Sequence, residues 1–356
     1  MPIETPDVLV VGLGPAGSRA AAVAASAGLS VIALERRKSA GSPVQCAEFV
    51  PALIEHDVPA VRAVTAQKVT RMLTFAGAHR PKVTEHFQGL MIDRGAFDRL
   101  LAQEAARDGA ECRYSETVLS VDADGAVTTS IGAHLRPKVL IGADGPRSPV
   151  GTAIGQINRE LVDTRQVTVP LILPHDATDI FLSPDYHGGY AWLFPKGAVA
   201  NIGLGVSIES RRLLKPLLAA LCEKLGNERR IGTRTLALTG GAIPVGGRLR
   251  SVGHLGRTAV LLAGDAAGLT NPVTGAGIAS AVQSGTLAGR AAADFLGDCP
   301  GAIEAYDEEL GDIFDAALNR ALRRRRDVLA CYAGGGRPDT RALSDGWIAS
   351  PHYWAA

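Results

Sequence analysis

The chain has 356 residues, 46% hydrophobic and 21% charged, the composition of a globular protein long enough for a large domain with an inserted or appended partner. Its 37 basic residues against 36 acidic ones leave no global field to steer nucleic acid, which disfavours nucleic-acid binding. Five scattered cysteines without a CxxC pair and eight histidines without a clustered pair argue against a disulfide framework and a metal site, and point to a reducing cytoplasm. Glu4 and Asp7 precede the first apolar run, unlike the basic start of a secretion leader, and no run of about 18 apolar residues predicts a membrane span.

Val8 to Val11 is wholly apolar, the pattern of a parallel strand buried on both faces. Gly12, Gly14 and Gly17 then lead through Pro15 and Ala16 into an alanine-rich helix that Gly28 stops, and Ser30 to Leu34 reads as a second strand ending in Glu35, with Arg36 beside it as a further cofactor-binding candidate. GxGxxG alone is a weak signal. Here it follows a buried strand, opens a helix, and is answered 23 residues after Gly12 by an acid, the full context of a dinucleotide fingerprint. Gly12 permits the tight turn, Gly14 lets backbone approach a pyrophosphate, and Gly17 lets helix and strand pack closely. Glu35 accepts hydrogen bonds from ribose hydroxyls, which favours FAD or NAD over NADP.

Residues 64 to 84 are irregular and strand-like, before "LMIDRGAFDRLLAQEAARDGAE" turns helical with Asp93 as cap and Gly109 as stop. "TVLSVDADGAVTTS" carries an Asp-Gly between alternating runs, a hairpin signal. "KVLIGADGPRSPVG" is another apolar strand feeding a glycine turn. From Gly151 to Arg257, short β-prone runs recur, including "QVTVPLILP", "GGYAWLFPKG" and "VANIGLGVSI", and predict an antiparallel sheet interrupted by one helix near Ser210 to Leu225. "TAVLLAGDAAG" returns to the buried-strand pattern and "TGAGIASAVQSGTLAGRAAADFL" to a helix, as though the first domain resumes after an insertion. The tail is mostly helical and contains the charged run "RALRRRRD".

"LLAGDAAGLTNPVTGAGI" places Asp265 just after an apolar strand, with Gly275 and Gly277 at the start of a long helix. This resembles the second FAD motif of the flavoprotein superfamily that includes the aromatic hydroxylases, and "GADGPRS", around Asp144 and Gly145, resembles its intermediate Asp-Gly motif. A helix N-terminus under the pyrimidine edge suits the negative charge of reduced flavin. FAD is therefore the expected cofactor. "AGSPVQCAEF" is similar to the Cys-Gly-Glu segment of the geranylgeranyl reductase family, departing from it at Gln45, Ala47 and Phe49. "YAWLFPK", Tyr190 to Lys196, followed by a glycine-rich strand, matches the YxWxFPK pattern of that family, and "GGAIPVGG" resembles its segment before the second FAD motif. Alternation puts Tyr190, Trp192 and Phe194 on one strand face, an aromatic wall suited to a hydrocarbon chain.

The resemblance, over about residues 7 to 300, implies a Rossmann-like α/β fold: FAD-binding segments 1–65, 88–150 and 258–300, joining strands 66–87, a β substrate domain 151–257, and a helical region 301–356. It implies reduction of prenyl carbon-carbon double bonds: a hydride to one carbon and a proton to the other. It also places Ala16 and Gly17 at the pyrophosphate, Glu35 at the ribose, Cys46 and Ala47 at the flavin, Arg94 against the cofactor, Val118 near the adenine, and Asp265, Gly277 and Ile278 at the flavin end. Tyr190, Trp192, Phe194, Pro195 and Lys196 define the substrate cavity, although Lys196 also reads as a solvated turn residue and Arg94 as a surface arginine at a helix start. Cys46 and a bound water are the two candidate proton donors. The electron donor is NAD(P)H, reduced ferredoxin or another donor protein. "RALRRRRD" reads either as a site for anionic lipid head groups or as a solvated helix face, leaving peripheral contact with the inner membrane face open. Two rival readings share the scaffold: a flavin monooxygenase or halogenase, whose usual Trp-x-Trp-x-Ile-Pro is not matched at Tyr190 and Phe194, and an electron-transfer flavoprotein passing electrons to a quinone, which usually carries a cysteine cluster absent here.

Overall fold

The computed structural model describes residues 3–77 and 80–355. A six-stranded sheet runs in the spatial order Val252–Leu255, Thr258–Leu262, Val139–Gly142, Val8–Val11, Val31–Glu35, Glu111–Tyr114, and only the first of these is antiparallel to its neighbour. Val8–Val11, Val139–Gly142 and Thr258–Leu262 are buried throughout because helices or loops cover both faces. Order reverses between Val8–Val11 and Val139–Gly142, which leaves a crevice at the carboxyl ends of these strands.

The helix Pro15–Ser26 lies beside Ile278–Leu296, and glycine makes that approach possible. A Cβ on Gly285 would sit 2.1 Å from the Ala16 carbonyl oxygen, and one on Gly289 would sit 2.7 Å from that of Ala20. The fold thus brings the starts of two helices to one end of the sheet. The helix Arg94–Arg107 begins at Asp93, whose side chain accepts from the Ala96 amide at 2.8 Å.

An eight-stranded sheet stands beside this domain. Its central strands are Leu161–Pro170, Val199–Ser207, Ala191–Lys196 and Ala177–Leu182, antiparallel in succession. Ala177–Leu182 then pairs in parallel with Arg71–Ala76, so the joining segment completes the sheet. One face packs under the helix Leu214–Asn227, and the other faces the crevice. That helix starts later than the sequence suggests: Ile208–Leu213 is a 3₁₀ turn, and Pro216 near the start of the α segment has no amide to donate to the preceding turn.

The long helix Ala302–Ala330 packs on Ile278–Leu296, and Arg248 braces it through Asp307 (2.8 Å) and Asp315 (2.8 Å). The short helix Thr340–Asp345 then returns to the strands Arg71–Ala76 and Ala177–Leu182. No helix among the described residues is long and apolar enough to cross a membrane.

Candidate active site

A cavity of about 820 Å³ fills the crevice and continues along the eight-stranded sheet. At its nucleotide end the backbone turns at Gly12 with φ +97°, where a Cβ would meet the Ala143 carbonyl oxygen at 2.4 Å. Gly17 is equally constrained, since its Cβ would lie 1.8 Å from the Gly12 carbonyl oxygen. Gly14 differs: nothing lies within 4 Å of the position its Cβ would take, and it lines the cavity. It is also the N-cap of Pro15–Ser26, which has no side-chain cap and no acid in its first turn. The first amides of that helix are therefore available to an anion. Glu35 orders this loop by accepting from the Leu13 amide (3.1 Å) and the Arg37 amide (2.9 Å).

Carboxylates recur along the wall. Burial pushes the Asp144 carboxyl above its ordinary value against the opposing pull of Ser148, the Val150 amide and Arg36. Its Oδ2 accepts from the Val150 amide at 3.1 Å, while Oδ1 has no partner among the described residues. Glu116 Oε1, also on the wall, is buried and unpartnered. Asp265 is likewise raised by burial, opposed by the Thr270 hydroxyl, which donates to it at 2.9 Å, and by the charge of Arg94. Unsatisfied buried acceptors cost about 1–3 kcal/mol each, so the wall asks for a ligand rich in hydroxyls.

In the middle of the cavity stands Cys46. Its Sγ accepts from the Glu48 amide at 3.2 Å, and its carbonyl accepts from Gln166 Nε2 at 3.1 Å. Gln166 turns its other end to the wall, where Oε1 accepts from the Trp192 indole at 2.9 Å. Arg94 pairs with Asp98 through Nε (2.6 Å) and Nη2 (3.1 Å). Burial opposes its charge, yet Asp98 and the Cys46 sulfur raise its affinity for the proton above the ordinary arginine value.

Glu48, which the sequence reading passed over, ties this region together. It is buried, sits at φ +70°, and accepts from Lys196 Nζ (2.8 Å), Asn201 Nδ2 (2.9 Å) and the Arg94 amide (3.0 Å). Lys196 is therefore neither a cavity residue nor a solvated turn residue: its ammonium is spent on Glu48. Pro195, too, is off the cavity wall, because strand alternation turns it away from the face that carries Trp192 and Phe194.

Along the far end runs the aromatic wall. Ring centroids lie 5.7 Å apart for Tyr190 and Trp192 and 6.1 Å for Trp192 and Phe194, and Phe49 and Phe87 extend it. The glycine-rich strand beside it has a steric cause, since Gly203 pairs with Trp192 and a Cβ there would fall 2.4 Å from the indole. The Tyr190 hydroxyl donates to the Thr274 carbonyl at 2.6 Å, and burial raises its pKa. Trp347 and Ile348, from a tail that carries no legible motif, close the wall, with the Trp347 ring 4.8 Å from Tyr190.

Of the residues singled out from sequence, Gly12, Gly14, Pro15, Ala16, Glu35, Arg36, Cys46, Ala47, Arg94, Val118, Asp144, Gly145, Asp265, Gly275, Gly277 and Ile278 line this one cavity together with Tyr190, Trp192 and Phe194. Gly17 lies behind the wall as a packing position. The start of Ile278–Leu296, capped by no side chain, lines the cavity beyond Asp265. Unpartnered carboxylate oxygens, the open Gly14 cradle and two free helix starts fit the hydroxyls, pyrophosphate and electron-rich ring of FAD. Among the described residues no cluster of His, Cys, Asp or Glu is arranged to hold a metal ion.

The run "RALRRRRD" does not present one face. Four successive helical residues cover most of a turn and cannot share a face. Arg323 and Arg326 are exposed, while Arg324 donates to the carbonyls of Tyr353 (3.3 Å) and Ala355 (2.6 Å) and Arg325 is buried on the cavity wall.

Residues 7–141 match the family model for FAD-dependent oxidoreductases, and residues 164–242 match that for the geranylgeranyl reductase catalytic domain. The digeranylgeranylglycerophospholipid reductase of Methanosarcina acetivorans is 32% identical over 95% of this chain and 88% of its own length. The enzyme of that name from Methanocella arvoryzae is 33% identical over 90% and 87%. The crystal structure of a geranylgeranyl bacteriochlorophyll reductase-like protein from Thermoplasma acidophilum superposes with a TM-score of 0.86 at 28% identity, covering 98% of this chain and 92% of that one. With the nucleotide cradle and the aromatic wall sharing one cavity, these likenesses make the chain an FAD-dependent oxidoreductase of the geranylgeranyl reductase family.

Proposed function

We propose that the chain saturates carbon-carbon double bonds in the geranylgeranyl chains of a phospholipid, as the names of its relatives describe for them. The observation that carries this reading is the continuous apolar wall of Tyr190, Trp192 and Phe194 opening into the same cavity as the FAD cradle. Such a wall buries hydrocarbon without asking it for hydrogen bonds.

When bound and reduced, FAD supplies the hydride that one alkene carbon receives. The residues of this chain do the rest. Gly12, Gly14, Pro15 and Ala16 seat the pyrophosphate, Glu35 and Arg36 the ribose, and Val118 the adenine, with Gly17 letting the helix pack close behind the pyrophosphate seat. Asp144, Gly145, Asp265, Gly275, Gly277 and Ile278 take the ribityl and ring end. Arg94, held by Asp98, and Ala47 border the ring. Cys46 holds a proton at Sγ and delivers it to the second alkene carbon, with Gln166 and the Glu48 amide fixing the thiol's position. The electrons come from NAD(P)H or reduced ferredoxin. The lipid is reached by peripheral contact with the membrane surface.

The test is anaerobic. The yellow protein is reduced with dithionite, given a digeranylgeranylglycerophospholipid, and the lipid is weighed by mass spectrometry. Gain of two hydrogens per double bond supports the reading, and Cys46→Ala should slow it with FAD still bound. Reoxidation only on admitting oxygen, with an oxygen or halogen atom appearing in an aromatic acceptor, overturns it in favour of monooxygenase or halogenase chemistry.

A further inference from the structure

Arg325 is an anomaly in the cavity. It is 8% exposed and forms no ion pair among the described residues, although a buried charge is costly unless paired. It projects from the helix Ala302–Ala330 and lines the cavity beside Gly188 and Gly189, next to Tyr190 at one end of the aromatic strand. Its Nη1 donates to the carbonyls of Gly188 and Pro272, and its Nη2 donates to Ser207 Oγ at 3.3 Å. Of five guanidinium N–H donors, three hydrogen bonds leave two without an acceptor, one on Nη2 and the buried Nε–H. Burial lowers its pKa, and the acids that oppose this, Glu160 and Glu209, lie beyond ion-pair distance. Glu160 instead faces Arg326 at 3.9 Å.

We propose that Arg325 recognises the phosphate of the substrate's head group, so that an anion subsite borders the Tyr190 end of the aromatic wall that takes the prenyl chain. The inference rests on the prenyl-lipid reading above. A planar guanidinium with spare donors matches a phosphate's oxygens, and the incoming anion supplies the charge the fold withholds. Neutral acceptors hold the side chain in place without neutralising it. The subsite selects phosphorylated prenyl lipids over their alcohols, and it lies inside the cavity, whereas Arg323 and Arg326 of the same run stay on the outer surface.

The test compares geranylgeranyl monophosphate with geranylgeraniol, which differ only in the anion, for the FAD-loaded wild type, Arg325→Lys and Arg325→Met. In Arg325→Met the ratio of kcat/KM for phosphate over alcohol should fall at least about tenfold, the loss expected for a hydrogen-bonded charge, with Arg325→Lys between. Equal losses on both substrates overturn the subsite and leave a strut between the Gly188 and Pro272 loops. Inorganic phosphate alone is the second arm. If it raises the melting temperature of the wild type but not of Arg325→Met, while the substrate ratio stays unchanged in Arg325→Met, the site takes free phosphate and the head-group assignment fails. A wild type that reduces neither prenyl compound sinks the functional reading itself, a result distinct from either of these.

Discussion

Replacing Lys196 by methionine separates two roles for that residue. Its ammonium lies 2.8 Å from Glu48 Oε1, with the two side chains 20% and 8% exposed. Removing one partner of a fully buried pair costs about 3–5 kcal/mol. Here Lys196 keeps some water, and the carboxylate retains Asn201 at 2.9 Å and the Arg94 amide at 3.0 Å, so about 2 kcal/mol is the reasonable expectation. In a chain of this size that lowers the melting midpoint by about 3 °C. Because Glu48 also holds the segment carrying Cys46, FAD retention should weaken alongside. Adding Glu48→Gln to Lys196→Met removes the stranded charge and should restore part of the loss, which a double-mutant cycle of thermal melts reads directly. A Lys196→Met protein that melts with the wild type while its KM for the lipid rises would refute this reasoning and return Lys196 to the substrate.

Gly14→Ala should leave the melting temperature of the apoprotein unchanged yet weaken FAD about tenfold, since the added methyl meets only the cavity, whereas Gly17→Ala should lower both; flavin titration and thermal melts distinguish them. Asp7 is held at a pKa of about 2, first by Lys138 and then by the Ser30 amide and hydroxyl. A depressed carboxylate stabilises the fold above its unfolded pKa of about 4 and loses that contribution as pH falls towards about 2. Asp7→Asn should therefore cost about 1 kcal/mol at neutral pH after solvent screening, and the two melting curves should converge near pH 2; a constant gap across that range would contradict it. Trp347→Ala should destabilise by about 3–5 kcal/mol and shift preference towards longer prenyl chains, measured by competing substrates of different length. An unchanged preference would mean that the tail does not bound the chain site.

The amino-acid sequence by itself determined the nucleotide half of this protein. Periodicity, glycine placement and the acid at Glu35 are local consequences of a strand, a turn and a helix adjacent in the chain, and each glycine's reason is visible within a few residues or in one neighbouring strand. The aromatic strand was legible for the same reason, because alternation alone puts Tyr190, Trp192 and Phe194 on one face. What lay beyond reading was every contact made across long sequence distance. Glu48 meets Lys196 and Asn201 about 150 positions away, Gln166 bridges Trp192 to Cys46, and Arg325 reaches the loop at Gly188 from a helix that looks merely charged. A charge in sequence carries no sign of its partner or its burial. Only the packing of the helix Ala302–Ala330 and its returning tail against the second sheet decided which arginine turned inward, and Trp347 closed the cavity.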